Sequence, residues 1–173
     1  MKPELQDGDV ILVHANSFST WYRWLFSHLI RLFDGCYYNH AQIYFDGKVY
    51  EADLKVREID FEHNTGDNVM VLRPNKELSA EEKKNIIAFL QKEMGKPYGF
   101  GSVIFFQTLY ILTFRRIWLG KKSATDDHPY CTSLVTRCYN RVRGYFPEYY
   151  LTSPSVMKGE APLYFYTTFE GKI

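Results

Sequence analysis

The dipeptide Asp46-Gly47 constrains the fold of this 173-residue chain more than any other local feature. Two residues of this type between apolar runs are typical of the tight turn of a β-hairpin. The sequence therefore predicts a strand over Asn39–Phe45 and an antiparallel partner over Lys48–Ala52. Pairing about this turn brings side chains of the two strands, His40 and Glu51 among them, to nearby positions on one face.

Hydrophobic periodicity and end signals predict the remaining elements. Further strands are predicted at Val10–Val13, Val56–Phe61, Val69–Arg73 and Leu163–Phe169, and helices at Ser19–Phe33, at 79–94 behind a capping box, within 100–119 and at Thr132–Arg143, with a turn or helix beginning at Ser153–Ser155. Strands fall mainly in the first half of the chain and helices in the second. This order predicts one α+β domain over residues 1–173, with a mostly antiparallel sheet or small barrel packed on helices.

Charge and cysteine usage exclude several classes of protein. The formal net charge is +1 and the chain has no basic stripe, so we expect no nucleic-acid partner. Its three cysteines lie at neither disulfide-like nor zinc-like spacing, so we expect no metal and no cofactor. The segment Met1–Asp9 has no signal-peptide core, and the apolar run Val103–Phe114 is too short to span a bilayer. We therefore expect a cytoplasmic protein, with a trimmed leader or peripheral membrane contact left open.

The stretch Tyr130–Ser133 indicates where chemistry can occur, because it places Cys131 at the start of an amphipathic helix. Unpaired N–H groups and partial positive charge at a helix N-terminus favour the thiolate, which is the form that attacks carbonyl carbon. A lone cysteine at a helix start is more often a buried structural residue. The catalytic interpretation of Cys131 therefore depends on a base and on a group that orients that base.

Two residues of the predicted hairpin supply those groups. His40 lies within a strand, which fixes a side chain better than a loop does, and a carboxylate at Glu51 would hold its tautomer and stabilise the imidazolium. The sequence therefore predicts a cysteine–histidine–carboxylate triad of Cys131, His40 and Glu51. His128 is the main rival base because it lies close to Cys131 in sequence.

Four motifs together resemble a known family: Gly8–Ile11, Asn39–Tyr44 with Glu51, Lys96–Gly99 and Tyr130–Val135. In this order, with the histidine first and the cysteine last, they resemble the circularly permuted branch of the NlpC/P60 superfamily. This is the YiiX-like group of papain-fold proteins, which is related to the lecithin:retinol acyltransferase-like enzymes. The resemblance extends from Gly8 to about Pro154.

The resemblance implies a papain-like fold and a role for each matched residue. Cys131 would be the nucleophile, His40 the base and Glu51 the third polar member. Tyr98, with Tyr130, would lie on the oxyanion and substrate side, although Tyr98 can equally be a packing tyrosine. Two departures stand out: many relatives have a Ser-Glu pair where this chain has Thr132-Ser133, and an apolar insertion, about residues 102–128, precedes the cysteine.

The aromatic content, 17% of the chain, concentrates partly in two apolar segments around residues 18–33 and 102–119. Either these segments pack on each other, or they form an apolar groove beside Cys131 lined by Trp21, Trp24, Phe105 and Trp118. The sequence predicts a cysteine hydrolase that cleaves an amide or ester bond of a peptide-, cell-wall- or lipid-type substrate. The alternative is a lipid- or amphiphile-binding module, or a lipid acyltransferase, on the same fold.

Overall fold

A computed structural model describes residues 2–14, 37–99, 129–146 and 154–173. Its strands are β1 (Val10–His14), β2 (His40–Phe45), β3 (Lys48–Ala52), β4 (Val56–Ile59), β5 (Asn68–Pro74) and β6 (Phe165–Lys172), and its helices are a 3₁₀ turn (Phe61–Asn64), α1 (Ala80–Glu93), α2 (Cys131–Val142) and α3 (Pro154–Tyr164). Within these ranges the strands form one antiparallel sheet in the order β4-β3-β2-β1-β5-β6. The α+β prediction is confirmed.

The predicted hairpin is present, with β2 and β3 joined at Asp46 and Gly47. Both turn residues have positive φ, 50° and 77°, as a two-residue hairpin turn of this kind requires. The turn fixes the register, in which Phe45 pairs with Lys48 and Gln42 lies directly opposite Glu51. Because alternate residues of a strand share a face, His40, two residues before Gln42 in β2, lies on the same face as this pair.

The sheet buries both faces, and the two faces differ. The larger apolar cluster joins one face to the helices and includes Leu12, Ile43, Leu90, Leu134 and Val135. The opposite face carries a smaller cluster built from Ile11, Val13, Val49, Phe61 and Val69. Since Ala41 and Ile43 point toward the helices, the alternating residues His40 and Gln42 point to the other face.

Helix α1 begins as the sequence predicts. Ser79 is its N-cap: the Ser79 hydroxyl accepts from the backbone N–H of Glu82 at 3.2 Å, and the Glu82 carboxylate accepts from the backbone N–H of Ser79 at 2.7 Å. This reciprocal pair satisfies two backbone donors that the first turn leaves open. None of the helices in the described ranges is both long and apolar enough to cross a membrane.

Three predicted strand boundaries are wrong by two or more residues. The final strand ends at Lys172, not Phe169, because its pairing with β5 continues to Asn68. The final strand begins at Phe165, not Leu163, because β5 ends at Pro74 and the pairing partner of Pro74 is Phe165. The fourth strand ends at Ile59, which is paired with Val49, and the chain then enters the 3₁₀ turn that buries Phe61. Beyond these two ends of the ladder the apolar residues belong to other elements: Leu163 is an exposed residue of α3, and Phe61 is buried in the 3₁₀ turn.

Several predictions lie outside the described residues. They are the helix at Ser19–Phe33 and the insertion at 102–128. The turn or helix predicted to begin at Ser153–Ser155 is present as α3, which starts at Pro154. The description of 1–173 as a single domain with that insertion remains a prediction.

Candidate active site

Cys131 is the first residue of α2, as the sequence predicts, and Tyr130 is the N-cap. The helix packs against β2, which brings the Cys131 thiol to the beginning of that strand. Cys131 is 4% exposed, and its sulfur is hydrogen-bonded to the side chain of His40. A thiol and an imidazole from sequence-distant elements therefore meet at one end of the sheet.

The Ser133 side chain forms hydrogen bonds with the backbone at the start of this helix. Its hydroxyl accepts from the backbone N–H of Tyr130 and donates to the Tyr130 carbonyl, both at 2.9 Å. Ser133 is the third residue of the helix, and its side chain holds the N-cap residue Tyr130 in place. This contact satisfies the Tyr130 N–H and fixes the first turn, which carries Cys131.

His40 is the first residue of β2, and its imidazole bridges Cys131 and Glu51. Its Nε2 lies 2.8 Å from Oε2 of Glu51. An ionised carboxylate only accepts hydrogen bonds, so Nε2 carries a proton and the ring's Nδ1 is the nitrogen left for the thiol. The His40 side chain is 22% exposed and the Glu51 side chain only 4%.

Both oxygens of the Glu51 carboxylate have partners. Oε2 also accepts from Nε2 of Gln42 at 2.8 Å, while Oε1 accepts from Nε of Arg57 at 2.8 Å and lies 2.6 Å from Arg57 Nη2. Burial disfavours the charged carboxylate, but the hydrogen bond and charge of His40, then Gln42 and Arg57, outweigh burial and lower the pKa of Glu51. Glu51 is therefore ionised beside His40.

The Cys131 thiol is more acidic than an ordinary cysteine. Burial raises its pKa, but the hydrogen bond and charge of His40, together with the backbone N–H groups of Ala41 and Thr132, lower the pKa of Cys131 overall. The Thr132 group comes from the first turn of α2, as a helix-start argument predicts. The backbone N–H of Ala41 can reach the sulfur because pairing between β2 and β3 extends only from Phe45 to Gln42, which lies opposite Glu51.

The pKa of His40 shifts in the complementary direction. Burial lowers it, but hydrogen bonds to Cys131 and Glu51, and the negative charges of these two groups, raise the pKa of His40 to about 10. A more acidic thiol beside a more basic imidazole is the electrostatic signature of a thiolate–imidazolium pair.

Tyr98 also reaches Cys131. Its hydroxyl is hydrogen-bonded to the Cys131 sulfur and accepts from the Cys131 backbone N–H, and burial, followed by the Cys131 charge, raises the pKa of Tyr98 well above its usual value. The segment is fastened on both sides, since the Tyr98 N–H donates to Leu54 O at 2.9 Å and the Gly99 N–H to Pro129 O at 3.2 Å. Tyr130 is 7% exposed, and its charge adds to the rise in the pKa of Tyr98.

Three polar residues around Glu51 are absent from the sequence-based prediction: Gln42, Arg57 and Asn64. Gln42 and Asn64 exchange hydrogen bonds at 2.9 and 3.2 Å. Strand alternation from His40 indicates Gln42, and continued antiparallel pairing opposes Arg57 to Glu51. No comparable signal exists for Asn64, because it belongs to a 3₁₀ turn whose position is set by tertiary packing.

Other predicted features lie elsewhere. Cys138 is buried in the core, and this burial raises the pKa of its thiol. The residues predicted to line an apolar groove, and the rival base His128, lie outside the described ranges; the groove residues are Trp21, Trp24, Phe105 and Trp118. Among the residues with described structure, no group of three or more His, Cys, Asp and Glu side chains has an arrangement that would hold a metal ion.

Comparison with known proteins identifies the family. No curated protein matches the chain. A crystal structure described as that of the metalloprotein yiiX from Escherichia coli O157:H7 is similar over 97% of this chain and 88% of that chain, with 23% sequence identity and a TM-score of 0.53, which supports the papain-like α+β fold. Residues 4–169 match the family described as "Permuted papain-like amidase enzyme, YaeF/YiiX, C92 family". The chain therefore belongs to the permuted papain-like amidases of the YaeF/YiiX, C92 family.

Proposed function

We propose that this protein is a cysteine hydrolase that cleaves an amide bond through an acyl-thioester on Cys131. The observation that carries the proposal is the continuous chain of hydrogen bonds from the Cys131 sulfur through the His40 ring to the Glu51 carboxylate. In the proposed reaction Cys131 is the nucleophile, His40 transfers the proton and Glu51 orients His40.

The reaction proceeds in two displacements. The Cys131 thiolate attacks the amide carbon, and the resulting tetrahedral intermediate collapses as the C–N bond breaks. His40 gives its proton to the departing amine, which leaves an acyl-thioester. His40 then takes a proton from water as the water oxygen attacks the thioester carbon. The C–S bond breaks, the carboxylic acid departs, and the thiolate–imidazolium pair is restored.

Stabilisation of the developing oxyanion is assigned to the groups around the Cys131 backbone. The backbone N–H of Cys131 and the hydroxyl of Tyr98 lie together beside the sulfur. In the substrate-free protein the Tyr98 oxygen accepts this N–H. We propose that the substrate oxygen replaces it as acceptor, so that both the N–H and the Tyr98 O–H donate to the oxyanion.

The substrate is proposed to be a peptide-, cell-wall- or lipid-type amide. This class follows from the family's description as amidases and from the predicted apolar segments. The solved relative is described as a metalloprotein, but the described residues here offer no convergent set of metal ligands, and the His40 ring is engaged by Glu51 and Cys131. The proposed reaction assigns no step to a metal.

The test is capture of the acyl-enzyme. The protein is incubated with a panel of N-acyl p-nitroanilides and matched p-nitrophenyl esters, quenched in acid, and digested for mass spectrometry. We expect the acyl mass on the peptide that contains Cys131, and its loss together with turnover in Cys131→Ala. Cys138→Ala is the matched control, because it removes a buried thiol from the same helix and should retain turnover.

A second measurement covers the case in which no panel member is a substrate. Iodoacetamide should alkylate Cys131 at pH 6 at least about tenfold faster than Cys36 or Cys138, because only a thiolate reacts. Equal alkylation rates for the three cysteines would overturn the proposal. Where a panel member is turned over, undiminished turnover in Cys131→Ala would also overturn it.

A further inference from the structure

Arg57 holds the face of Glu51 that is turned away from His40. It lies directly opposite Glu51 in the β3–β4 ladder, and two of its nitrogens converge on the same carboxylate oxygen: Nε at 2.8 Å and Nη2 at 2.6 Å from Oε1. Nη2 also lies 3.2 Å from Oδ2 of Asp53. The guanidinium is therefore fixed between two carboxylates.

The other Glu51 oxygen is held separately. Oε2 accepts from His40 Nε2 and from Gln42 Nε2, both at 2.8 Å, and Gln42 is itself fixed by Asn64. Rotation about the last side-chain bond of a glutamate is soft and broad. Because Arg57 takes Oε1 and Gln42 takes Oε2, the carboxylate plane can adopt only one setting without losing a charged or buried hydrogen bond.

The burial of Glu51 explains why holding its carboxylate in one orientation affects His40. Exposed ion pairs contribute little, and the Arg57 side chain is 32% exposed. Glu51, however, is 4% exposed, and it is the acceptor that keeps the proton on His40 Nε2. A small rotation of the carboxylate would misdirect the ring that faces the Cys131 sulfur, and misplacement of a reacting group lowers rates steeply.

We propose that Arg57 is a positioning residue that sets the orientation of the Glu51 carboxylate, and through it the orientation of His40 toward Cys131. This inference rests on the proposed thiolate chemistry of Cys131. Arg57 acts through Glu51, in the way that partners of a functional ligand tune it. Its two-nitrogen contact with one oxygen is a geometry that a lysine cannot supply.

The experiment compares Arg57→Gln, Arg57→Lys, Glu51→Gln and the double variant Arg57→Gln/Glu51→Gln. The first readout is the rate of Cys131 alkylation by iodoacetamide at pH 6, measured by mass spectrometry of the Cys131 peptide. We expect about a tenfold loss in Arg57→Gln and a smaller but clear loss in Arg57→Lys. In the Glu51→Gln background, the Arg57 substitution should change the rate less than about twofold, because residues that act through one another are not additive.

The second readout is proton NMR of the His40 Nε2–H, which a structural role alone would not move. We expect this proton to exchange with water at least about tenfold faster in Arg57→Gln than in wild type, since a loosely held acceptor protects it less. Arg73→Gln is the matched control: Arg73 donates to both oxygens of the buried Asp9 at 2.9 and 2.8 Å, on the other side of the sheet's centre. It should cost stability but leave both readouts unchanged in the folded protein.

The outcomes separate the two proposals. If wild-type Cys131 reacts no faster than Cys138, the proposed function fails whatever Arg57 does. If wild-type Cys131 is fast, the positioning role is overturned by wild-type rates in Arg57→Gln or Arg57→Lys, or by an equal loss in the Glu51→Gln background. Should Arg57→Gln fail to fold, Arg57→Lys retains the charge and decides the question alone.

Discussion

Glu51 accepts a hydrogen bond from Nε2 of His40 at 2.8 Å while its own side chain is 4% exposed. This carboxylate is depressed in pKa and remains charged in a setting where burial alone would neutralise it. It thereby does two things for His40: it selects the tautomer protonated on Nε2, and it favours the imidazolium. Both effects depend on a negative charge, which an amide of the same shape lacks.

Glu51→Gln is therefore expected to reduce turnover strongly while preserving the fold. We expect kcat to fall by up to roughly 10⁴-fold, the loss seen when the orienting carboxylate of a serine-protease triad is neutralised. Steady-state kinetics on an amide substrate measures this. Glu93→Gln is the matched control. Glu93 is also a buried carboxylate, bound by Lys96 and Arg137, but it is the last residue of α1 and does not contact His40 in the described structure. A kcat within threefold of wild type for Glu51→Gln would contradict the assigned role.

The pH dependence of turnover should be bell-shaped. In the proposed reaction the active enzyme has a thiolate at Cys131 and a proton on His40. Activity should therefore fall as the pH drops through the pKa of Cys131, which, despite burial, the hydrogen bond and charge of His40 lower from the ordinary value of a thiol. It should fall again as the pH rises through about 10, where His40 loses its proton. The two limbs belong to the interacting pair rather than to either residue alone.

Glu51→Gln should shift the alkaline limb to lower pH. Removing the carboxylate charge removes one of the two groups that raise the pKa of His40, so the imidazolium is lost earlier. The pH profile of kcat for the residual activity measures this. An alkaline limb that stays near pH 10 in Glu51→Gln would mean that Cys131 alone raises the basicity of His40.

The sequence predicts the core of this site because it depends on local rules. The Asp46-Gly47 turn sets the register of the hairpin, and the register brings Glu51 near His40. The start of α2 is likewise readable from the polar residues that follow Cys131. What joins these two pieces is the packing of α2 on β2, and no local pattern specifies it. The chemistry a thiolate requires indicates His40 as its base, and the family resemblance implies the same pair.

The remaining features of the site follow from tertiary context. Asn64 reaches Gln42 from a 3₁₀ turn that the apolar pattern reads as the end of a strand. The backbone N–H of Ala41 is hydrogen-bonded to the Cys131 sulfur, and it is available because the β2–β3 pairing stops at Gln42 and Glu51. Both facts depend on where pairing ends, and strand ends are set by the partner strand rather than by residue type.

Tyr98→Phe distinguishes an oxyanion donor from a packing tyrosine. The substitution keeps the ring and removes only the hydroxyl that is bonded to the sulfur and backbone N–H of Cys131. If the hydroxyl donates to the oxyanion, kcat should fall roughly 10²- to 10³-fold with little change in KM, because the interaction forms only in the transition state. Tyr44→Phe is a suitable control, because Tyr44 is a half-buried tyrosine near the opposite end of β2 from His40. Unchanged kcat with lowered thermal stability would assign Tyr98 to packing.

Gly8→Ala tests the close approach that joins the first strand to α2. Gly8 has φ +94°, a Cβ there would lie 2.6 Å from Leu78 Cδ1 and 3.1 Å from Tyr139 Oη, and Tyr139 donates to the Gly8 carbonyl. Backbone strain and overpacking together should lower the free energy of unfolding by roughly 2–4 kcal/mol. Gly66→Ala is the control, because Gly66 has φ +96° but open space around it, so it reports the backbone cost alone. Chemical denaturation of the two variants measures the difference. Equal losses of unfolding free energy would mean that the Leu78 and Tyr139 side chains move aside at little cost and that this contact is not tight.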